Sequence, residues 1–139
     1  MAREYNHRNL IVWQKAQELA HEMVQLTYRL PQNWANAVIA RQIISAATSV
    51  GANIAEGHGR YTPGAHGNHL EIAKGSAAET DSWSDTLRRE GHISTEEDAA
   101  IHAACMEVIL LLKIKILDLE KLEQRPNKRI RETAEDYIA

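Results

Sequence analysis

Apolar residues recur along this chain at steps of three and four, the period that lays one face of an α-helix against a core. Four stretches carry the pattern. In the first, roughly Leu10 to Arg29, the positions Val12, Trp13, Ala16, Leu19, Ala20, Met23, Val24, Leu26, Thr27 and Leu30 form one wide stripe. Pro31 ends it, because proline lacks the backbone donor and disfavours helix in the residue before it. The second runs from about Ala37 to Gly57, with Ile39, Ile43, Ala46, Val50, Ile54 and Gly57 at helical spacing and Asn33 or Asn36 as its cap. Gly57 and Gly59 flank His58 and permit a left-handed C-cap. The third opens on Thr62-Pro63, a capping residue followed by a first-turn proline. It runs to about Glu90 along a seam of Leu70, Ala73, Ala77, Thr80, Ser84 and Leu87, and Gly91 stops it. The fourth opens on the capping box Ser94-Thr95-Glu96-Glu97 and runs to about Leu122, before Pro126.

No stretch alternates with period two, so no strand is predicted. Short connections make neighbouring helices antiparallel. The expected fold is therefore all-α: an up-down-up-down four-helix bundle over residues 1–125, with a polar arm from Met1 to Asn9 and a charged tail over 126–139.

Small residues crowd the second helix, which reads SAATSVGANIAEGHGR from Ser45 to Arg60. Gly51 inside a helix costs about 1 kcal/mol relative to alanine. A neighbouring helix lying close against the Ala47, Gly51, Ala55 row would offset that cost. Counting outward from the turn near Tyr61 sets Ala47 opposite Gly75 or Ser76 and brings Arg41 and Ser45 near Glu79. The tightest contact is expected there, between the second and third helices. Asn53, at the edge of the packed face, needs partners for its amide. Helix four has the opposite character. Ile101, Cys105, Val108, Leu112, Leu119 and Leu122 line one side, and further apolar residues extend well past that stripe. It is either the central helix of the bundle or a surface for self-association. The second reading assigns Ile109, Leu110, Leu111 and Ile114 to an oligomer interface.

Composition narrows the class. A chain of 139 residues is one ordinary domain, and 44% apolar with 25% charged residues is neither disordered nor membrane-spanning. A single cysteine, Cys105, rules out an internal disulfide. Arg3, Glu4 and Arg8 interrupt the amino terminus and no long apolar run follows, so the default compartment is the cytoplasm. A net charge of −3 and a pI of about 6.2 exclude a strongly basic nucleic-acid binder and leave a local patch open. The candidates are Arg41, Arg60, Lys74, Arg88 and Arg89, and the dense run Gln124 to Arg131 with Arg125, Lys128, Arg129 and Arg131. That run reads either as a solvated tail or as phosphate contacts on RNA or DNA, which position without specifying sequence.

Reactive constellations are thin. Glu18 and His21 form a Glu-x-x-His, but a di-iron bundle needs two such motifs and two further glutamates. The other match, Glu4 to His7, falls in the arm. His58, His66, His69 and Glu71 gather near the second loop without the spacing of a zinc site. Cys105 has no base placed beside it. Glu56 and Glu79 are several turns apart by loop counting, too far to work as an acid–base pair. The structural alternative pairs Glu56 with Arg60, and Glu79 with Arg41 or Ser45. The expectation is no metal, no cofactor and no enzymatic activity.

Taken together, Val12-Trp13-Gln14-Lys15-Ala16, the Leu30-Pro31 break, Gln42 with Ala46-Ala47-x-Ser49-Val50, Asn53-Ile54-Ala55-Glu56-Gly57 with Arg60, and Ile72-Ala73-x-Gly75-Ser76-x-x-Glu79 resemble a known family. It comprises the four-helix bundle proteins encoded by intervening sequences of bacterial large-subunit ribosomal RNA. The resemblance implies a homo-oligomeric ring, typically a pentamer, and no catalysis. It places Gly57 and Gly75 at close-packing positions and Asn53, Glu56, Ser76 and Glu79 at structural polar ones. Relatives include accessory proteins of diversity-generating retroelements, which bind nucleic acid and a reverse transcriptase through basic surfaces. Partners are thus expected among copies of the chain itself, RNA or DNA, and a nucleic-acid enzyme, with no membrane.

Overall fold

Side-chain caps set where each helix starts. In the computed structural model, which describes residues 6–124, α1 spans Ile11–Tyr28, α2 Trp34–His58, α3 Pro63–Arg89 and α4 Thr95–Glu123. Asn33 Oδ1 accepts from the Asn36 amide at 2.8 Å, so α2 begins a turn before Ala37. Asn36 is not the cap. Its Nδ2 donates to the Pro31 carbonyl at 2.8 Å and closes the α1–α2 turn. Thr62 Oγ1 accepts from the Ala65 amide, with Pro63 in the first turn of α3. Ser94 and Glu97 form the reciprocal capping box of α4, and Glu96, Glu97 and Asp98 lie at the positive end of its dipole.

The helix ends differ from each other. Gly91 has φ +76° and closes α3 as a Schellman motif, with His92 N–H donating to the Leu87 carbonyl and Gly91 N–H to that of Arg88. The left-handed cap that Gly57 and Gly59 would permit after α2 is not used. Gly59 has φ −81° and stays right-handed, its N–H shared between the Ala55 and Glu56 carbonyls. The arm is also less loose than its composition suggests over the residues described. His7–Asn9 make a 3-10 turn capped by Asn6, and His7 and Arg8 both pack on the Trp13 ring.

Cross-helix pairs fix the topology. Lys15 meets Glu107 and Arg29 meets Glu97 between α1 and α4. Ser49 meets Ser76 and Asn53 meets His69 between α2 and α3. Asp81 meets His102 and Ser84 meets Asp98 between α3 and α4. In each set one number rises as the other falls, so the neighbours are antiparallel and the four helices make an up-down-up-down bundle. Every residue of the α3 seam, Leu70 to Leu87, is buried. The core forms two layers along the axis, one around Val50, Ile54, Leu70 and Leu112, the other around Met23, Ile43, Leu87 and Cys105. Among the described residues there is no strand, and no helix is long and apolar enough to cross a membrane.

The close contact expected at Gly51 and Gly75 lies elsewhere. A Cβ on Gly51 would meet Gln17 Oε1 at 2.5 Å and Trp13 Nε1 at 3.7 Å, so this glycine faces α1 rather than α3. Residues four apart drift by about 40° around a helix. The Ala47, Gly51, Ala55 row therefore starts in the core, turns towards α1, and reaches the half-buried rim. Gly75 has open space around it, with nothing within 4 Å of a built Cβ. It lies two residues from both Ala73 and Ala77 and so points away from their buried face. Glu79 shares that outward face, and among the described residues nothing bonds it to Arg41 or Ser45. Of the two close-packing glycines, Gly57 is the one in contact. Its Cβ would lie 2.9 Å from His69 Cβ and 3.1 Å from the His66 carbonyl oxygen.

Candidate functional site

Two surfaces stand out: a polar seam between α2 and α3, and the outer side of α4. The seam begins where Ser49 and Asn53, one turn apart, face α3. Ser76 Oγ donates to Ser49 Oγ at 3.0 Å, and Asn53 Nδ2 donates to the same hydroxyl and to the Ser49 carbonyl, both at 2.9 Å. Asn53 Oδ1, left as an acceptor, lies 3.2 Å from His69 Nδ1 and so assigns the ring proton to that nitrogen. Glu56 Oε2 lies 3.9 Å from the same nitrogen, while its Oε1 accepts from Arg60 at 2.8 Å. Asn53, Glu56 and Ser76 thus belong to one ladder, and His69 joins them to it. The i,i+4 pair of Glu56 with Arg60 forms as its spacing predicts. Every member is occupied by another, an arrangement suited to holding two helices in register.

His66, beside this seam, is a packing group. His66 is 4% exposed, with its Cδ2 against Gly57 and its Nδ1 lacking a hydrogen-bond partner. Burial, helped by Lys115, His58 and His69, pulls its pKa down to about 4. The His58 ring stands edge-on to it at 6.3 Å and is also shifted down, chiefly by burial. Among the described residues no three histidine, cysteine or carboxylate groups are gathered so as to hold a metal ion. Cys105 is buried, and burial pushes its thiol up to about 12. It behaves as a small hydrophobe.

The outer side of α4 is the larger feature. Met106, Leu110, Ile114 and Leu117 follow each other at steps of four, four and three, and are 37%, 58%, 50% and 54% exposed. They lie opposite Cys105, Val108, Leu112 and Ile116, which are buried against the other helices. Leu110 and Ile114 therefore face outward, as an interface requires. Ile109 and Leu111 are half-buried rather than outward, and Ile109 packs against the core. Met106 and Leu117 join the stripe. Their signal in the sequence is a second apolar register on the same helix, offset by about half a turn from the core seam.

Among the described residues, four of the basic candidates are paired with carboxylates. Arg60 pairs with Glu56, Lys74 with Glu71 at 3.0 Å, Arg88 with Asp85 at 2.7 Å, and Arg89 with Asp85 at 2.7 Å. The two guanidiniums hold the Asp85 carboxyl below its usual range. Arg41 is exposed and has no acidic partner among the described residues. Arg60 and the Arg88–Arg89 pair sit at opposite ends of α3, about 40 Å apart at 1.5 Å per residue. Arg125, Lys128, Arg129 and Arg131 lie outside the described residues. Near Arg41, an apolar groove of about 530 Å³ at the α1–α2 turn is bordered by Leu30, Pro31 and Trp34, the last of these 83% exposed. Trp34 does not stand out from sequence pattern, because it falls in the predicted connection between two apolar stripes.

Fold and surfaces together define a class: a four-helix bundle with a satisfied polar seam and an uncovered apolar helix face. The chain belongs to the family described as 23S rRNA-intervening sequence protein, which matches residues 8–114. It is similar to a solved protein of unknown function from the S23 ribosomal protein family of Bacteroides thetaiotaomicron VPI-5482. The two are 32% identical, with a TM-score of 0.71, over 76% of this chain and 98% of that one. No protein with a curated description matches the sequence.

Proposed function

We propose that this protein is a non-enzymatic, cytoplasmic scaffold that assembles with itself through the outer side of α4. The observation that carries the reading is the row Met106, Leu110, Ile114 and Leu117, open to solvent on a helix whose opposite side is buried. Covering a large apolar side chain is worth about 1.5–3 kcal/mol when complete. Four half-exposed ones leave a few kcal/mol available to a partner surface. A second copy of the chain is always present at matching concentration. The arrangement we favour is a closed ring, with five copies as the family resemblance implies. Leu110→Glu in the full chain tests it. Static light scattering should report monomers with unchanged helix content, and an oligomer of undiminished mass would refute the interface.

A second reading adds nucleic acid as cargo. It is favoured by the basic run from Gln124 to Arg131, which directly follows α4 and would be repeated once per copy in an assembly. Most of the described basic candidates are already neutralised by carboxylates, which makes the scaffold the primary reading.

A further inference from the structure

The outer side of the α2–α3 pair forms a groove. The hydrogen bonds of Ser49 with Ser76 and of Asn53 with His69 fix the height of one helix against the other. That register sets Val38 beside Thr86, Ser45 beside Glu79 and Ala52 beside Ile72, in rungs two turns apart. All six are exposed or half-buried, with Val38 49% and Ile72 51% exposed. Gly75 borders the groove, with open space where a side chain would stand. A glycine inside α3 weakens the helix, and among the described residues nothing fills the room it leaves.

The apolar stripe of α4 matches this groove in length and charge. It extends about 17 Å from Met106 to Leu117, against about 21 Å for the three rungs. Glu79 on the middle rung and Lys113 beside the middle of the stripe are both exposed, and each lacks an oppositely charged partner among the described residues. Setting Lys113 of one copy at the height of Glu79 of the next, with α4 parallel to α2, brings the other contacts into place. Ile114 lies over Ser45 and Leu117 over Gly75. The small Ala103 stands opposite Trp34, the largest side chain on that side of α2. Glu107, already held by Lys15, comes within a turn of the unpaired Arg41. Lys121 comes within a turn of Glu56. Asp118 falls beside the uncharged Thr48. Glu120 meets a like charge in Glu71, which Lys74 offsets at 3.0 Å. The reverse direction turns Lys113 towards α2, which has no acid between Trp34 and Ala55, and sets Glu107 beside Glu71.

We propose that the groove between α2 and α3 receives the α4 stripe of a second copy of this chain, lying parallel to α2. Each copy then gives a stripe on one side and offers a groove on another, so the contact repeats from copy to copy. The docking rests on the self-association through α4 proposed above and assigns the surface that meets it.

The test uses full chains with single added cysteines, Cys105 being buried. Co-expressed Ser45→Cys and Ile114→Cys chains should form a disulfide with each other under mild oxidation, because the bridge requires Cα atoms within about 7 Å. Gln25→Cys, exposed on α1, should not bridge to Ile114→Cys. Adding Leu110→Glu to the Ile114→Cys chain should cut the 45–114 bridge roughly tenfold or more. The docking is overturned by no bridge, by equal bridging at Gln25, or by bridging that Leu110→Glu leaves undiminished. Ile114→Cys chains bridging chiefly to one another would overturn it too, since stripe would then meet stripe. Gly75→Arg gives an independent reading. It fills the space beneath Leu117 without touching its own core, so helix content should be unchanged and the dissociation constant raised roughly tenfold or more. Assembly as tight as in the wild type would count against the groove. A monomeric Leu110→Glu chain without the 45–114 bridge keeps the self-association and removes the groove. A Leu110→Glu chain of undiminished mass removes the self-association, and the groove with it.

Discussion

At the scale of single residues, two glycines of one sequence signature have opposite physical roles. A methyl group on Gly57 would press on His69 Cβ and the His66 carbonyl, one of them backbone that cannot swing aside. Gly57→Ala should therefore destabilise the fold, by about 1–3 kcal/mol as for other overpacked sites. Gly75 has no neighbour within 4 Å, so Gly75→Ala removes a helix-weakening residue without strain. It should stabilise the monomer fold by up to about 1 kcal/mol. Urea melts of the two variants should move in opposite directions, and a shift of the same sign would contradict the packing described. His66 makes stability depend on pH. Its folded-state pKa of about 4 lies below the ordinary 6.5, so the unfolded chain takes up a proton more readily. The stability it protects is whole above pH 6.5 and is lost as pH falls towards 4, by at most about 3 kcal/mol. His66→Leu should flatten the chain's unfolding free energy across that window. A slope as steep as in the wild type would place the acid sensitivity in other groups.

At the scale of helices, the polar seam couples α2 to α3. Asn53 both donates to Ser49 and accepts from His69, so Asn53→Leu strands partners on both helices. The expected cost is about 1–3 kcal/mol, and Ser76→Ala, at the end of the ladder, should cost less. Equal losses in thermal unfolding would mean that the amide is not the centre of the network. The helices themselves are legible in the sequence because their boundaries are chemical: Asn33, Thr62, Ser94 and Pro31 act locally, whatever packs later. Loop counting also finds the register, since Ser49 does meet Ser76 and Asn53 meets His69 close to the expected offset. Rotation is not legible. A register places two residues at the same height but leaves open which side of the helix each one faces. Counting therefore assigns Gly51 and Gly75 to the α2–α3 contact, whereas one faces α1 and the other solvent. Of the site, the outward leucines of α4 can be read from an apolar surface too wide for one core. The ladder through His69 cannot, because it depends on a side chain reaching across from another helix.

At the scale of the whole molecule, the uncovered stripe raises the question of symmetry. If the α4 stripe meets its own copy, the contact is two-fold and growth stops at a dimer. If it meets a different surface of the next copy, the contact repeats and closes into a ring. A second apolar surface exists for the latter: Trp34 is 83% exposed and Val38, one turn on, 49%. Both are on the opposite side of α2 from the buried Ile43, and both are remote from the α4 stripe in sequence. The ring reading predicts that Trp34→Ala, at a residue contributing little to its own core, should break the assembly as Leu110→Glu does. Mixing separates the two geometries. A Leu110→Glu chain keeps its Trp34 surface and a Trp34→Ala chain keeps its stripe, so the pair retains one sound head-to-tail contact. Sedimentation of the mixture should show a heterodimer where each variant alone is monomeric. In a two-fold α4–α4 dimer, Trp34→Ala would assemble normally and the mixture would hold no such heterodimer, because every mixed contact would bring one damaged stripe.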